Sequence, residues 1–66
     1  MRYRVRRRGK SCTYVLQDNF KSLTDVWEFI TKVGKGRQSF SVDVWDGTTW
    51  TVHSVLCARE AERRLR

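Results

Sequence analysis

The chain has 66 residues and a formal net charge of +7. A chain of this length forms one domain at most and buries only about 60% of the surface that its unfolded form exposes, so its stability should be marginal. No segment approaches the roughly 20 apolar residues of a membrane span, and the arginine-rich start lacks the apolar stretch of a secretory leader. We therefore expect a single cytoplasmic domain over residues 1–66.

The excess positive charge is concentrated at the start of the chain. Residues 1–17 contain six basic residues and no acidic one, whereas residues 18–66 contain eight basic and seven acidic residues. Such a concentration attracts phosphate, an anionic membrane or an acidic protein over long range. A solvated basic tail is the simpler alternative, but such tails rarely alternate with apolar residues as this segment does.

Residues 2–17 predict a β-hairpin, because arginines and apolar residues alternate with the period of a strand. The arginines on the polar face are Arg2, Arg4, Arg6 and Arg8. A two-residue turn at Gly9-Lys10 would pair Val5 with Tyr14 across the hairpin. Arg7 falls on the face of Val5, so it lies outside the row.

An amphipathic helix is predicted over residues 22–33. Ser22 with Asp25 three residues later resembles a capping box, and Gly34 supplies a stop. The apolar residues recur at helical spacing. They are Leu23, Val26, Trp27, Ile30 and Val33, with Phe29 at the edge of the same arc.

A second hairpin follows, with apolar residues at even positions in both strands. Asp46-Gly47 suggests a two-residue turn, but that turn would put Trp50 on the polar face. A three-residue loop at 45–47 with a glycine bulge would instead pair Val42 with Trp50 and Phe40 with Val52.

Ser54 is the expected cap of a second helix over residues 55–65. Its apolar stripe is thin and consists of Cys57, Ala58, Ala61 and Leu65. The element order is therefore β-β-α-β-β-α. We predict an α+β fold in which two antiparallel hairpins form a small sheet with the helices packed on one face.

The helices should cover the sheet face that carries Tyr3, Val5, Tyr14, Leu16, Phe40, Val42, Trp50 and Val52. The opposite face should be open to solvent. It would carry the arginine row together with Thr13, Val15, Gln17, Ser39, Ser41, Asp43, Trp45, Thr51 and His53. We assign Asp43 and Asp46 to turn formation.

The open arginine face predicts nucleic-acid binding. Alternate residues of a strand stand about 6.5–7 Å apart, close to the spacing of successive phosphates. A two-stranded ribbon fits the major groove, so we favour double-stranded DNA over single-stranded DNA or RNA. Single-strand readers usually present several aromatic residues, and we expect mainly Trp45 on this face. The candidate nucleic-acid-binding residues are Arg2, Arg4, Arg6, Arg8, Lys10, Lys35, Arg37 and Trp45.

The lysines and arginine near the end of the first helix admit a simpler interpretation. Lys32, Lys35 and Arg37 would complement the negative end of the helix, which we favour over phosphate contact. The arginines of the second helix, balanced by glutamates, are better explained by solvation than by binding.

A protein-binding adaptor or inhibitor is the second functional hypothesis. The basic face would dock on an acidic protein surface, with arginine and tryptophan as anchors. A membrane role is not expected, because the basic residues lie on a strand. The thin core leaves room for a homodimer, which would double the arginine surface.

Catalytic, metal and cofactor sites are not expected. His53 is the only histidine, and the two cysteines, Cys12 and Cys57, lie apart from it in the expected register. Their spacing resembles neither a metal site nor a secreted disulfide scaffold. We expect both cysteines to be reduced core residues and the protein to be a small regulatory or accessory factor without enzymatic activity.

Overall fold

The computed structural model describes residues 2–9, 11–34 and 38–66. Its elements are β1 (Arg2–Arg8), β2 (Thr13–Phe20), α1 (Leu23–Val33), β3 (Phe40–Trp45), β4 (Trp50–Leu56) and α2 (Ala58–Arg64). The four strands form one antiparallel sheet in the order β2-β1-β3-β4. The predicted α+β fold and its element order are confirmed. None of the helices in the described ranges is both long enough and apolar enough to cross a membrane.

Helix α1 has the expected bounds. Ser22 is its N-cap, and the Ser22 hydroxyl accepts a hydrogen bond from the Asp25 amide at 3.3 Å. Gly34 ends the helix at φ −78°, so it does not adopt the left-handed conformation of most glycine stops. A Cβ at Gly34 would lie 2.7 Å from Ala58 Cβ and 3.0 Å from Phe40 Cε2. Glycine is therefore required here because α1, α2 and β3 approach closely.

The hydrophobic core lies between the two helices and one face of the sheet. It consists of Val5, Phe20, Val26, Trp27, Ile30, Phe40, Val42, Leu56 and Ala61. Of the residues predicted to form the sheet side of this core, Val5, Phe40 and Val42 are buried, and Tyr3 packs against them. Burying this apolar area is the main favourable term in the stability of so short a chain.

The predicted register of the first hairpin is wrong. The Gly9 amide donates to the Cys12 carbonyl at 2.8 Å, which makes the loop four residues long. Val5 consequently lies opposite Gln17, and Tyr14 lies opposite Arg7. Cys12 is exposed in this loop and is not a core residue.

Two irregularities in β2 complete the change of register. Leu16 is an extra residue between the pairs that Val15 and Gln17 form with β1, and a second irregularity precedes Phe20. Asn19, just before Phe20, adopts a positive φ of 66°. As a result Phe20 enters the core, while Tyr14 and Leu16, which were predicted to be buried, are 44% and 37% exposed.

The loop of the second hairpin is also four residues long, over 46–49. Asp46 Oδ1 accepts hydrogen bonds from the Thr48 amide at 2.8 Å and the Thr49 amide at 2.9 Å. This side-chain closure replaces the glycine bulge that the parity of the strands suggested. Trp45 now pairs with Trp50, and Val42 with Ser54.

The new register moves four residues of β4, Trp50, Thr51, Val52 and His53, to the opposite face of the sheet from that predicted. Trp50 and Val52 lie opposite Trp45 and Asp43 and therefore on the open face, and Leu56 occupies the core in their place. A register shift lies at His53, whose ring is 6.3 Å from the ring of Trp27 and so belongs to the helix side.

Helix α2 begins later than predicted because β4 continues to Leu56. Ser54 lies within β4, and the N-cap is Cys57, which makes no side-chain capping bond. The Ser54 hydroxyl instead accepts a hydrogen bond from Arg64 Nη1 at 3.2 Å. The Arg64 guanidinium also lies 4.7 Å from the ring centre of Trp27, so α2 is held to the core by Ala61 and by this contact.

Candidate functional site

The four arginines of β1 share the face of the sheet that the helices do not cover. We call Arg2, Arg4, Arg6 and Arg8 the arginine row and this side of the sheet the open face. The row faces away from the helices because Val5, between its members, is fully buried in the core. Since β1 lies between β2 and β3, the row runs along the middle of the sheet.

A buried acid lies beneath the middle of the row. The Asp43 side chain, on β3, is 1% exposed. Its Oδ2 atom lies 2.7 Å from Arg4 Nε and 2.6 Å from Arg6 Nε, and its Oδ1 atom accepts a hydrogen bond from Arg6 Nη2 at 3.1 Å. The Arg6 Nε–H does not point at an acceptor, so its contact with Oδ2 is electrostatic only. One carboxylate therefore binds two guanidinium groups and leaves an excess positive charge.

Ser41, also on β3, joins the contact between Arg6 and Asp43. Its hydroxyl, also buried, accepts from Arg6 Nη2 at 3.2 Å and donates to Asp43 Oδ1 at 3.2 Å. The side chains of Arg4 and Arg6 are thus held in place by β3. The interpretation of Asp43 as a turn residue was wrong, because it overlooked that β3 would pair with β1 and oppose Asp43 to Arg4.

Two tryptophans lie at the Arg2 end of the row. Trp45 and Trp50 pair across β3 and β4, with ring centres 5.3 Å apart and ring planes at 53°. The Arg2 guanidinium lies 5.7 Å and 5.2 Å from these two ring centres, and the Arg4 guanidinium lies 4.3 Å from that of Trp50. We call Trp45 and Trp50 the tryptophan pair.

Trp50 was missed as a site residue because its register was assigned incorrectly. The signal that would have placed it on the open face is the Asp46-Gly47-Thr48-Thr49 segment, in which an aspartate can accept from the two following threonine amides. Such a closure makes Trp45 and Trp50 the pair that flanks the loop.

A shallow depression lies at the Arg8 end of the row. It has a volume of about 310 Å³ and is lined by Arg6, Arg8, Thr13, Ser41, Val52 and Val55. The two valines are 59% and 49% exposed. Arg8 forms no ion pair or side-chain hydrogen bond with any part of the chain that the structure describes.

The remaining candidate residues are separated from the open face or lie outside the described ranges. Lys10, Lys35 and Arg37 are among the residues that the structure does not describe. Lys32 is exposed in the last turn of α1, and Arg7 pairs with Phe40 on the helix side. Of the predicted binding residues, the structure therefore brings together the arginine row and Trp45.

The described residues include no group of three or more side chains suited to hold a metal ion. Cys12 and Cys57 are free thiols. His53, near Tyr3 and Trp27, is on the side of the sheet opposite the arginine row.

Comparison of the chain with protein-family models, with curated proteins and with solved structures finds no match. A functional inference for this protein therefore depends on the geometry and charge of the open face.

Proposed function

We propose that this protein binds nucleic acid through its open face, without catalysing a reaction. The observation that carries the proposal is the arginine row, in which four guanidinium groups share one side of a central strand and Asp43 is the acid beneath them. Arginine forms bidentate hydrogen bonds with phosphate and stacks on flat rings, so a row of arginines beside two tryptophans suits a polymer of phosphates and bases.

The contacts within the row favour binding in two ways. Arg4 and Arg6 are held by Asp43 and Ser41, so their side chains lose less conformational freedom when a ligand binds. Arg2 is exposed above the tryptophan pair, and Arg8 is exposed beside the depression. These two end residues can turn towards phosphates at either end of a bound segment.

A regulatory or accessory role fits a domain that has a binding face and a small core. We also propose a cytoplasmic location, because two cysteines without the spacing of a disulfide scaffold are usual for proteins of a reducing compartment.

A salt titration tests the proposal. Affinity would be measured for duplex DNA, single-stranded DNA and RNA of equal length by fluorescence anisotropy. We expect the logarithm of the association constant to fall linearly with the logarithm of salt concentration, with a slope of about −0.9 per phosphate contacted on a duplex and about −0.7 on a single strand. Three contacted phosphates would give a slope of about −2 to −3.

A matched pair of variants locates the contact. Arg2→Ala/Arg8→Ala removes two charges from the ends of the row, while Arg59→Ala/Arg63→Ala removes two charges from exposed positions of α2. The first variant should lower the magnitude of the slope by about 1.5 and the affinity by tenfold or more, and the second should change the affinity by less than about threefold. Equal effects from the two variants, or binding that does not depend on salt, would contradict the proposal.

The arginines and tryptophans of the open face also suit a protein partner, since these two residue types anchor interfaces, and the exposed Val52 and Val55 add apolar area beside them. Stoichiometric capture of an acidic protein by the wild type but not by Arg2→Ala/Arg8→Ala, with no retention on nucleic acid at moderate salt, would favour the adaptor hypothesis.

A further inference from the structure

We infer that the open face takes a single strand rather than a duplex, with one base at the tryptophan pair and a second base in the depression near Arg8. This inference rests on the proposed function and names its substrate class. The preference for duplex DNA drawn from the sequence depended on an isolated two-stranded ribbon and on Trp45 as the main exposed aromatic residue, and the structure changes both conditions.

The dimensions of the sheet disfavour a duplex. The major groove is about 12 Å wide and admits a helix or a two-stranded ribbon. The arginine row lies on an inner strand of a four-stranded sheet. With strands about 4.8 Å apart, the outer strand axes are separated by roughly 14 Å before side chains are counted. The open face cannot enter the groove far enough for β1 to contact base edges.

The tryptophan pair offers a stacking surface. Trp45 and Trp50 are both half-buried, so their positions are fixed while part of each indole remains accessible. The side chain of Arg2, whose guanidinium lies over both rings, is exposed. A base can displace Arg2 from the rings, while Arg4, whose guanidinium lies 4.3 Å from the Trp50 ring centre, stays bound to Asp43. The released Arg2 guanidinium is then free to bind the adjacent phosphate. Stacking of this kind accepts any base, because each has an aromatic face.

The depression offers the second base site. Val52 and Val55 contribute apolar side chains to its lining, while Arg8 and Ser41 contribute polar ones. Its volume of about 310 Å³ lies at the small end of the range of ligand pockets. A flat aromatic ring with polar edges matches this mixture of surfaces.

The separation of the two sites requires unstacked bases. The tryptophan pair lies beside Arg2, and the depression lies between Arg6 and Arg8. The two sites are therefore separated by four to six residues along β1, which corresponds to about 14–20 Å. Successive bases of one strand in a duplex advance by about 3.4 Å, so bases that occupy both sites must be several nucleotides apart and splayed from their neighbours. A single strand can present its bases in this way, whereas a duplex would first have to melt.

The test compares strand types and tryptophan variants. Single-stranded DNA of about 12 nucleotides and a duplex of the same length would be titrated into the wild type at about 0.15 M salt. We expect at least tenfold tighter binding of the single strand, with quenching of tryptophan fluorescence. Trp50→Leu should weaken single-strand binding about tenfold and change duplex binding less than threefold. Tyr14→Leu, which replaces an exposed aromatic residue on the edge strand β2, is the matched control and should leave both affinities unchanged.

The possible results separate this inference from the proposed function. Equal or tighter binding of the duplex by the wild type would overturn the single-strand inference and leave the proposed function standing. No salt-dependent binding of any nucleic acid would overturn both. Because the strand preference and the fluorescence quenching are measured on the wild type, they decide the matter even if Trp50→Leu does not fold.

Discussion

The middle and the ends of the arginine row differ although the four residues are of one type and lie on one strand. In the middle, Arg4 and Arg6 bind the buried Asp43, and Arg6 also binds Ser41. At the ends, Arg2 lies over the tryptophan pair and Arg8 lies beside the shallow depression, and neither contacts an acid in the described part of the chain.

The difference shows that residues of the same type and charge on one strand can have different roles. The middle pair joins β1 to β3 and holds two guanidinium groups at fixed positions, so it contributes to stability as well as to positive potential. The end pair contributes little to stability because exposed charges interact weakly within the protein. We therefore expect substitutions in the middle to lower the free energy of unfolding and substitutions at the ends to weaken binding.

The largest expected effect comes from Asp43→Ala. Removing this carboxylate leaves two partly buried guanidinium groups without a counter-ion. Loss of one partner from a buried ion pair costs about 3–5 kcal/mol, and we expect about 2–3 kcal/mol here because both arginines retain some contact with water. Urea unfolding followed by circular dichroism would measure the loss.

Asp18→Ala is the control for Asp43→Ala, since Asp18 is an exposed aspartate on β2. Its free energy of unfolding should stay within about 0.5 kcal/mol of the wild type. If the two variants are equally stable, Asp43 does not hold the middle of the row.

A smaller effect is expected from Arg6→Ala, and comparison with Arg8→Ala sharpens the contrast. Arg6→Ala removes contacts with Asp43 and Ser41 and should cost about 1–2 kcal/mol, whereas Arg8→Ala should cost less than about 0.5 kcal/mol. In binding, Arg8→Ala should still reduce the magnitude of the salt slope by about 0.7 on a single strand. Equal stability losses from both substitutions would remove the distinction between middle and end.

The smallest effect is expected at Asp46. This aspartate closes the loop that joins Trp45 to Trp50, so it positions the tryptophan pair and not the arginine row. Hydrogen bonds from the amides of Thr49 and Thr48, and from the Thr48 hydroxyl, hold the pKa of Asp46 below its ordinary value of 3.8. Because the folded state lowers this pKa, the stabilisation is present above pH 3.8 and is lost as the pH falls through the lowered value.

Asp46→Asn provides the comparison, because its amide oxygen can accept the same hydrogen bonds without titrating. The stability of the wild type relative to Asp46→Asn should decrease as the pH falls below 3.8, as measured by urea unfolding at a series of pH values. A difference between the two proteins that is constant down to about pH 2 would show that Asp46 does not close the loop as a carboxylate.

The sequence was sufficient for the order of the elements and for the common face of the arginine row. Both follow from local periodicity, and Ser22 with Asp25 marked the start of α1 correctly. The strand registers could not be obtained in this way. They depend on hydrogen bonds such as those of Asp46 with two threonine amides and on irregularities near Leu16 and His53, which the alternation of residue types does not reveal.

The site was only half predictable for a related reason. The arginine row is visible within one strand, but the burial of Asp43 beneath it depends on which strand lies beside β1. The placement of Trp50 on the open face depends on the loop register. Pairing between β1 and β3, which joins residues about 40 apart in the chain, is set by tertiary packing and leaves no local pattern.

Chemical-shift mapping is the most direct test of the claim that the open face binds nucleic acid. Single-stranded DNA of about 12 nucleotides would be titrated into the ¹⁵N-labelled protein, and backbone amides and tryptophan indoles would be followed by NMR. We expect the largest shifts along β1 and β3 and at the indoles of Trp45 and Trp50, with small shifts in α1 and α2. Shifts confined to the helices, with β1, β3 and both indoles unchanged, would contradict it.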